Sequence, residues 1–224
     1  MTTTLITGGL SGIGEEISKQ LAGKIIRTTS RRDRVDHQSG IYYFNLKELT
    51  SAKELTDDLK KHNIQIDQVF HCAYDFSDAK LFFSLKSQDL KSKFDANIIG
   101  TFELLKAIIK PMTRRGQGRI LILGSLLAKI PAPGKLIYIT EKSAIEAMAM
   151  ALNSEVNSKG VIVKVIHPAL VATDQVKAKI SIDVIDKIGK ENLLSPKLVA
   201  TECIKFLADD SRENIDEIRG NQKW

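Results

Sequence analysis

Thr7 to Gly14 reads T-G-G-L-S-G-I-G, a glycine-rich turn placed directly after the strand-like run Thr3 to Ile6 and before a helical pattern with Ile13, Ile17 and Leu21 on one face. Glycine is needed in such a turn for a physical reason. Without a Cβ the backbone turns tightly and can lie against a pyrophosphate, whose charge then meets free N–H groups and the positive end of the helix dipole. A cluster of glycines is elsewhere an ordinary turn. Here the flanks supply the strand, turn and helix that a dinucleotide-binding turn requires.

Short apolar runs recur at residues 3–6, 24–29, 41–44, 67–73, 119–124 and 161–167, and helical stretches alternate with them. Their near-continuous apolar character predicts a parallel sheet covered on both faces: an α/β fold of the doubly wound, Rossmann type, in three layers. The longest helical patterns run from about Ser87 to Met112 and from Tyr138 to Asn157. In the second, Ile145, Met148, Ala149 and Leu152 form an apolar stripe, and Ala144, Ala147, Met150 and Ala151 widen it enough to suit a subunit interface. A length of 224 residues with 43% hydrophobic content suits one core, so residues 1–224 are expected to form a single domain. No internal repeat, low-complexity tract or linker divides the chain.

Ser125, Tyr138 and Lys142 are the residues whose types and spacing suggest chemistry. Reducing a carbonyl takes a hydride and a proton delivered to the carbonyl oxygen. A free phenol, with a pKa near about 10, exchanges its proton poorly at neutral pH unless a positive charge stands close. Positions i and i+4 share a helix face, so Y-I-T-E-K would stack the Lys142 ammonium beneath the Tyr138 phenol. Ser125, just past the apolar run Ile120 to Leu123, would donate a hydrogen bond to the same carbonyl oxygen from a strand terminus. A tyrosine four residues before a lysine, taken alone, is usually a surface pair; with the N-terminal turn it points to a nicotinamide-dependent oxidoreductase.

These residues resemble, over nearly the whole chain, the short-chain dehydrogenases/reductases, in the shorter branch whose turn reads T-G-x-x-x-G-x-G. The resemblance implies cofactor contacts from Gly8, Ser11, Gly12, Ile13 and Gly14 in the turn, and from Ala73, Tyr138 and Lys142. Asn97, in F-D-A-N-I-I-G-T, matches the asparagine that in this family shapes a helix and holds a water for proton relay, and joins Ser125, Tyr138 and Lys142 as a catalytic position. Pro133 and Gly134 fall in the loop between Ser125 and Tyr138 as in relatives. H-P-A-L-V-A-T from His167 resembles the family's P-G-x-V-x-T, so Pro168, Val171 and Thr173 are expected at the nicotinamide carboxamide, with Ala169 in place of the usual glycine.

Two segments depart from the pattern. V-F-H-C-A-Y stands where the family has N-N-A-G at the end of the fourth strand; only Ala73 survives, and Tyr74 replaces glycine at the pocket floor. His71 beside Cys72 also suggests a metal or a reactive thiol. Adjacent strand side chains, however, point to opposite faces, and no further Cys/His cluster supplies ligands, so His71 is expected to be a hydrogen-bonded strand-end residue and no metal is expected. The C-terminus, ending G-N-Q-K-W, allows only a shortened version of the family's last strand, through Ile215 and Ile218. A homodimer or homotetramer is expected, with subunit contacts altered by that clipped strand.

Charge selects between the two nicotinamide cofactors. An acid after the second strand favours NAD. Here Lys24 to Thr29 is followed by S-R-R-D-R, and guanidinium groups bind phosphate bidentately. NADP(H) is therefore expected rather than NAD, with Arg31 the main contact and Arg32 secondary; a solvated basic loop is the plain alternative. Asn45, after the strand I-Y-Y-F, sits where relatives place an aspartate near the adenine. The net charge of +6, from 33 basic and 27 acidic residues, is spread along the chain without interleaved aromatics, which argues against nucleic acid. Two cysteines fit a reducing compartment; no apolar run approaches the ~20 residues of a membrane span, and the early first strand leaves no room for a signal peptide, so the cytoplasm is expected.

The substrate is expected to be a small-molecule carbonyl or alcohol. Residues 174–194, with Val176, Ile180, Ile182, Val184, Ile185 and Ile188, suit a short amphipathic lid over an apolar substrate or a helix packed on the core. Lys177, Lys179, Lys187 and Lys190 would suit an acidic or carrier-linked one. Ketones, aldehydes and 3-oxoacyl thioesters all remain open, and an NADP(H)-binding sensor that has lost catalysis is the alternative to a reductase.

Overall fold

The computed structural model describes residues 1–179, 189 and 193–219. Seven parallel strands form one sheet: β1 (Thr3–Thr7), β2 (Lys24–Thr29), β3 (Ile41–Tyr43), β4 (Gln68–His71), β5 (Gly118–Leu123), β6 (Val161–Pro168) and β7 (Ile215–Ile218), in the order β3-β2-β1-β4-β5-β6-β7. The apolar runs read from the sequence correspond to the first six of these. Register is set strand by strand, with Leu5 opposite Ile26 on one side and Val69 on the other. Because the central strands are covered on both faces, most of their side chains are apolar; Leu5, Ile6, Val69, Phe70, Ile120, Leu121, Val163 and Val165 are all buried.

Two cores lie on the two faces of this sheet. On one, α2 (Ser51–Lys61), α4 (Gly100–Arg115) and α5 (Leu136–Val156) pack Leu55, Leu104, Leu105, Ile108, Met112, Ile145 and Ala149. On the other, α1 (Gly12–Gln20) and α7 (Pro196–Ala208) pack Ile17, Val199, Ala200, Cys203 and Phe206. The short β7 pairs with Val165 to Pro168 of β6, so the final strand is present in the shortened form the sequence allows. Lys164 is buried beneath it, where its ammonium donates to the carbonyls of Phe206 and Asp209 at the C-terminal end of α7, which favours positive charge. A helix α6 (Asp174–Lys179) opens the expected lid; Ile180, Ile182, Val184, Ile185, Lys187, Ile188 and Lys190 lie outside the described residues, as do Gly220 and those after it.

The helix expected from Ser87 to Met112 is not continuous. Helix α3 (Ser87–Phe94) passes into a π-helical segment, Asp95–Ile99, before α4 begins, and α4 runs on to Arg115. Two tertiary contacts account for the break. The Asn97 side chain accepts a hydrogen bond from the Asp75 N–H and donates to the Asp75 carbonyl, at 2.8 and 3.0 Å. Gly100 lies so close to the Leu46 backbone carbonyl that any Cβ there would collide with it. Extra residues inserted into a helix in this way are frequent at functional sites.

Candidate active site

Strand order reverses between β1 and β4, so the loops leaving their C-terminal ends diverge and open a crevice. The glycine turn occupies one wall. Gly8 has φ +66°, and a Cβ there would come within 3.0 Å of the Ala73 backbone nitrogen. A Cβ on Gly14 would come within 2.5 Å of the Gly8 carbonyl oxygen. The chain therefore folds back on itself at a spacing only glycine permits, and the opening N–H groups of α1 have no intrahelical partners. Ser11 is the N-cap residue of α1, exposed and with no side-chain cap bond; Ile13 is half-buried. Thr173, from the loop after β6, packs against the same turn, its methyl 3.2 Å from where a Gly12 Cβ would stand. Pro168 and Val171 are buried beside it, and Thr173 also caps α6 by accepting from the Val176 N–H.

The expected acid–base residues converge at the mouths of β4 and β5. Ser125 is buried just past β5, its hydroxyl accepting from the Leu127 N–H at 3.3 Å and near enough to the half-buried Tyr138 on α5 to favour its phenolate. Lys142, one turn on, is buried and donates to the Leu123 carbonyl at 2.8 Å. Its ammonium lies 5.9 Å from the centre of the Tyr138 ring and 4.3 Å from that of Tyr74. So the ammonium rests on Tyr74 rather than directly beneath the Tyr138 phenol. Burial brings Lys142 down to about 8, with Glu141 and Cys72 opposing. Burial pushes the Tyr138 phenol above its usual range, the Ser125 bond works against that, and the Glu141 charge adds to it.

Glu141 and Tyr74 are functional candidates that sequence reasoning missed or left undefined. Glu141 is fully buried on the inward face of α5, accepting hydrogen bonds from the Tyr74 hydroxyl and from Asn97 Nδ2, the latter at 2.9 Å. The available signal was a carboxylate three residues after Tyr138, on the stripe that also carries Lys142 and Ile145. Tyr74 meets Tyr138 edge to face with centroids 5.3 Å apart.

The other departures have structural roles. His71 is buried as a sheet brace, Nδ1 2.7 Å from the Thr7 hydroxyl and Nε2 2.9 Å from that of Thr101. Cys72, on the opposite face, packs into the second core, and burial pushes its thiol up to about 12, far from thiolate chemistry at neutral pH. His167 is buried behind Ser125, its Nδ1 accepting from the Ser125 N–H at 3.1 Å and its Nε2 3.0 Å from Glu146. His37, Asp58 and His62 gather at the far edge, where they tie α2 to the turn before β3 through a 2.8 Å His37–Asp58 contact and a 2.9 Å bond between His62 and the Asp58 carbonyl.

His71 yields a stability prediction. Burial, with the Lys142 charge adding, lowers its pKa to about 3. The unfolded ring titrates near about 6.5 and so binds more protons below that pH, which means the contribution of the neutral ring is complete above pH ~6.5 and is lost as pH falls toward 3. Chemical denaturation should show about 2 kcal/mol lost on this account between pH 6.5 and 5. His71→Asn should flatten that slope; an unchanged slope would remove the ring from the balance.

Arg31 and Arg32 leave β2 in different situations. Arg31 is exposed and paired with Asp33 at 2.9 Å, a surface contact worth at most about 1 kcal/mol and easily exchanged. Arg32, exposed to the same degree, is paired with both Glu48 and Glu54 and lies 3.9 Å from the Tyr43 ring centre, so more contacts must be exchanged to free it. The Asn45 side chain accepts from the Lys47 N–H and donates to Glu48, organising the loop into α2. Beside the site, Leu81, Phe82, Pro131, Ala132, Leu136 and Ile139 line an apolar groove of about 410 Å³. A wider hollow of about 950 Å³ lies at the other end of the sheet, among Thr3, Lys24, Gln68 and Gly118, away from the chemistry.

Residues 2–183 match the family model described as short chain dehydrogenase. The chain is 31% identical over 182 residues to the 3-oxoacyl-[acyl-carrier-protein] reductase FabG of Buchnera aphidicola subsp. Acyrthosiphon pisum, covering 77% of this chain and 74% of that one. It is 30% identical over 224 residues to the acetoacetyl-CoA reductase of Cupriavidus necator, covering 92% and 90%. Its fold is similar to that of a gluconate 5-dehydrogenase from Burkholderia cenocepacia J2315, solved in complex with NADP and tartrate, at a TM-score of 0.88 and 19% identity over 98% of this chain and 94% of that one. Among the described residues no helix is long and apolar enough to cross a membrane.

Proposed function

The chain belongs to the short-chain dehydrogenase/reductase family of oxidoreductases, and from that premise we propose that it reversibly reduces a carbonyl to an alcohol with NADP(H), Tyr138 acting as acid and base. The observation that carries this reading is the convergence of Ser125, Tyr138 and Lys142 at the mouth of the crevice that begins at the glycine turn. Bound NADPH supplies the hydride. Ser125 holds and polarises the carbonyl oxygen, Tyr138 gives it a proton, and the Lys142 ammonium eases loss of that proton. The fit to a dinucleotide rests on the Gly8, Gly12 and Gly14 approaches, where side chains would fill the cradle.

Arg31 supports NADP over NAD, because among the described residues its side chain has one ion pair, exposed and breakable, whereas Arg32 is paired twice. Arg31→Ala should weaken NADPH binding by about tenfold or more and leave NADH binding nearly unchanged, as read by fluorescence titration. Equal losses would remove the assignment. For the substrate, the relatives' names point to 3-oxoacyl thioesters on a carrier protein or coenzyme A, and the apolar groove beside Ile139 would suit such an acyl group. The same reading makes this a cytoplasmic, single-domain homodimer or homotetramer, in keeping with the exposed Ile99 and Phe102 at the start of α4.

NADPH oxidation against ketones, aldehydes, quinones and 3-oxoacyl thioesters tests the proposal; turnover of at least one class is expected. A second reading, a cofactor-binding sensor without catalysis, draws on Tyr74, whose ring occupies the place of a family glycine and engages Lys142. Tight NADPH binding with no turnover across that panel would favour it.

A further inference from the structure

We propose that Glu141 and Tyr74 form a positioning pair that fixes the Lys142 ammonium and the Tyr138 ring relative to one another for reduction. This rests on the reductase reading of the same site. Three observations point to the pair independently of any resemblance. Glu141 has no exposed surface, yet both its oxygens are used, one by the Tyr74 hydroxyl and the other by Asn97 Nδ2. Asn97 in turn clamps the Asp75 backbone on both its N–H and its carbonyl, so the segment carrying Tyr74 is fastened to the π-helical segment and through it to α5. Tyr74 then offers its ring face to the Lys142 ammonium at 4.3 Å and meets the Tyr138 ring edge to face.

A buried carboxylate is costly unless it is hydrogen-bonded and faces positive charge. Here it has both, and its charge acts on two neighbours with opposite consequences. Beside Lys142 it favours the ammonium, against the burial that opposes it. Beside Tyr138 it disfavours the phenolate, so the phenol retains the proton that a carbonyl will take. The groups facing this cluster are His71 and Cys72 at the end of β4, Tyr74 and Asp75 after it, Lys93 on α3, Asn97, and Ser125, Tyr138 and Lys142. Burial raises the Glu141 carboxyl above its usual range, and the Tyr74 and Asn97 hydrogen bonds with the Lys142 and Lys93 charges work against that; Lys93 and Lys47 neutralise Asp75, which leaves Glu141 as the carboxylate whose charge bears on the phenol. The pair is a positioning device; neither residue is assigned contact with substrate.

The test compares the parent with Glu141→Gln and Glu141→Asp. The pH profile of reductive turnover is measured, together with the ultraviolet titration of the cofactor-free phenols, the Tyr138 signal being identified by its loss in Tyr138→Phe. Glu141→Gln should move the alkaline limb and the Tyr138 titration to lower pH by roughly one unit, with kcat reduced and KM little changed; Glu141→Asp should restore much of the shift. Parental limb and titration in Glu141→Gln would overturn the proposal, whatever the effect on stability. If that variant fails to fold, Tyr74→Phe breaks the pair from the other side: kcat lower by about tenfold at unchanged NADPH affinity supports it, and parental kcat overturns it. If the parent turns over no carbonyl, the reductase reading falls, and the cofactor-free titration alone decides whether the pair controls Tyr138.

Discussion

Tyr138→Phe should lower carbonyl-reducing turnover by about 10²- to 10⁴-fold, the range that a positioned proton donor contributes, while NADPH affinity stays close to that of the parent. The substitution removes one oxygen and leaves the ring. Its edge-to-face contact with Tyr74 at 5.3 Å survives, and so does the packing of α5 against β6. What is lost is the hydroxyl that Ser125 reaches. Steady-state kinetics alongside cofactor titration by fluorescence checks both halves of this expectation. Retained turnover would place the donor elsewhere, and Tyr74, the other phenol in the site, would be examined next. That alternative is disfavoured by its environment, since burial and then Glu141 hold its phenol far above the usual range.

Gly14→Val is expected to lower NADPH affinity by at least about 100-fold, or roughly 2.7 kcal/mol. The cause is steric and close to the backbone. A Cβ at position 14 would lie 2.5 Å from the Gly8 oxygen and 2.9 Å from its carbon, and neither is a flexible side-chain end that can step aside. The turn must open, and the first N–H groups of α1 then lose their common direction toward the phosphates. Gly116→Ala is the matched control. Gly116 ends α4 with φ +69° and open space around it, so its cost is backbone strain of about 1 kcal/mol with cofactor binding unaffected. Equal losses of affinity in the two variants would mean that general destabilisation, not the turn, governs binding. Circular dichroism and thermal melts separate these cases.

Several features of the site were legible because they are local. The 3.6-residue period places Tyr138 and Lys142 one turn apart on α5, and the strand, glycine turn and helix follow one another without interruption. Apolar strand runs were equally readable, since a sheet covered on both faces leaves few polar positions. The break between α3 and α4 was not, because it depends on Asn97 meeting Asp75 from another part of the chain. Similarly, nothing near Arg32 announces that Glu48 and Glu54 hold it, whereas the neighbouring Arg31 side chain pairs with Asp33 two residues on.

The residues themselves therefore determine the layered α/β architecture, the glycine turn and the spacing that sets Tyr138 and Lys142 on one face of α5, since each follows from periodicity or from what a missing Cβ allows. Only the tertiary structure decides how the departures are used. His71 becomes a brace because β1 and α4 bring Thr7 and Thr101 to its two nitrogens. Tyr74 and Glu141, 67 residues apart, become a pair because the sheet order carries the end of β4 beside α5. Hydrogen bonds between such distant groups leave no periodic trace. Their energetics come from burial, which penalises any polar group left unpartnered and so selects the partners that the fold happens to bring within reach.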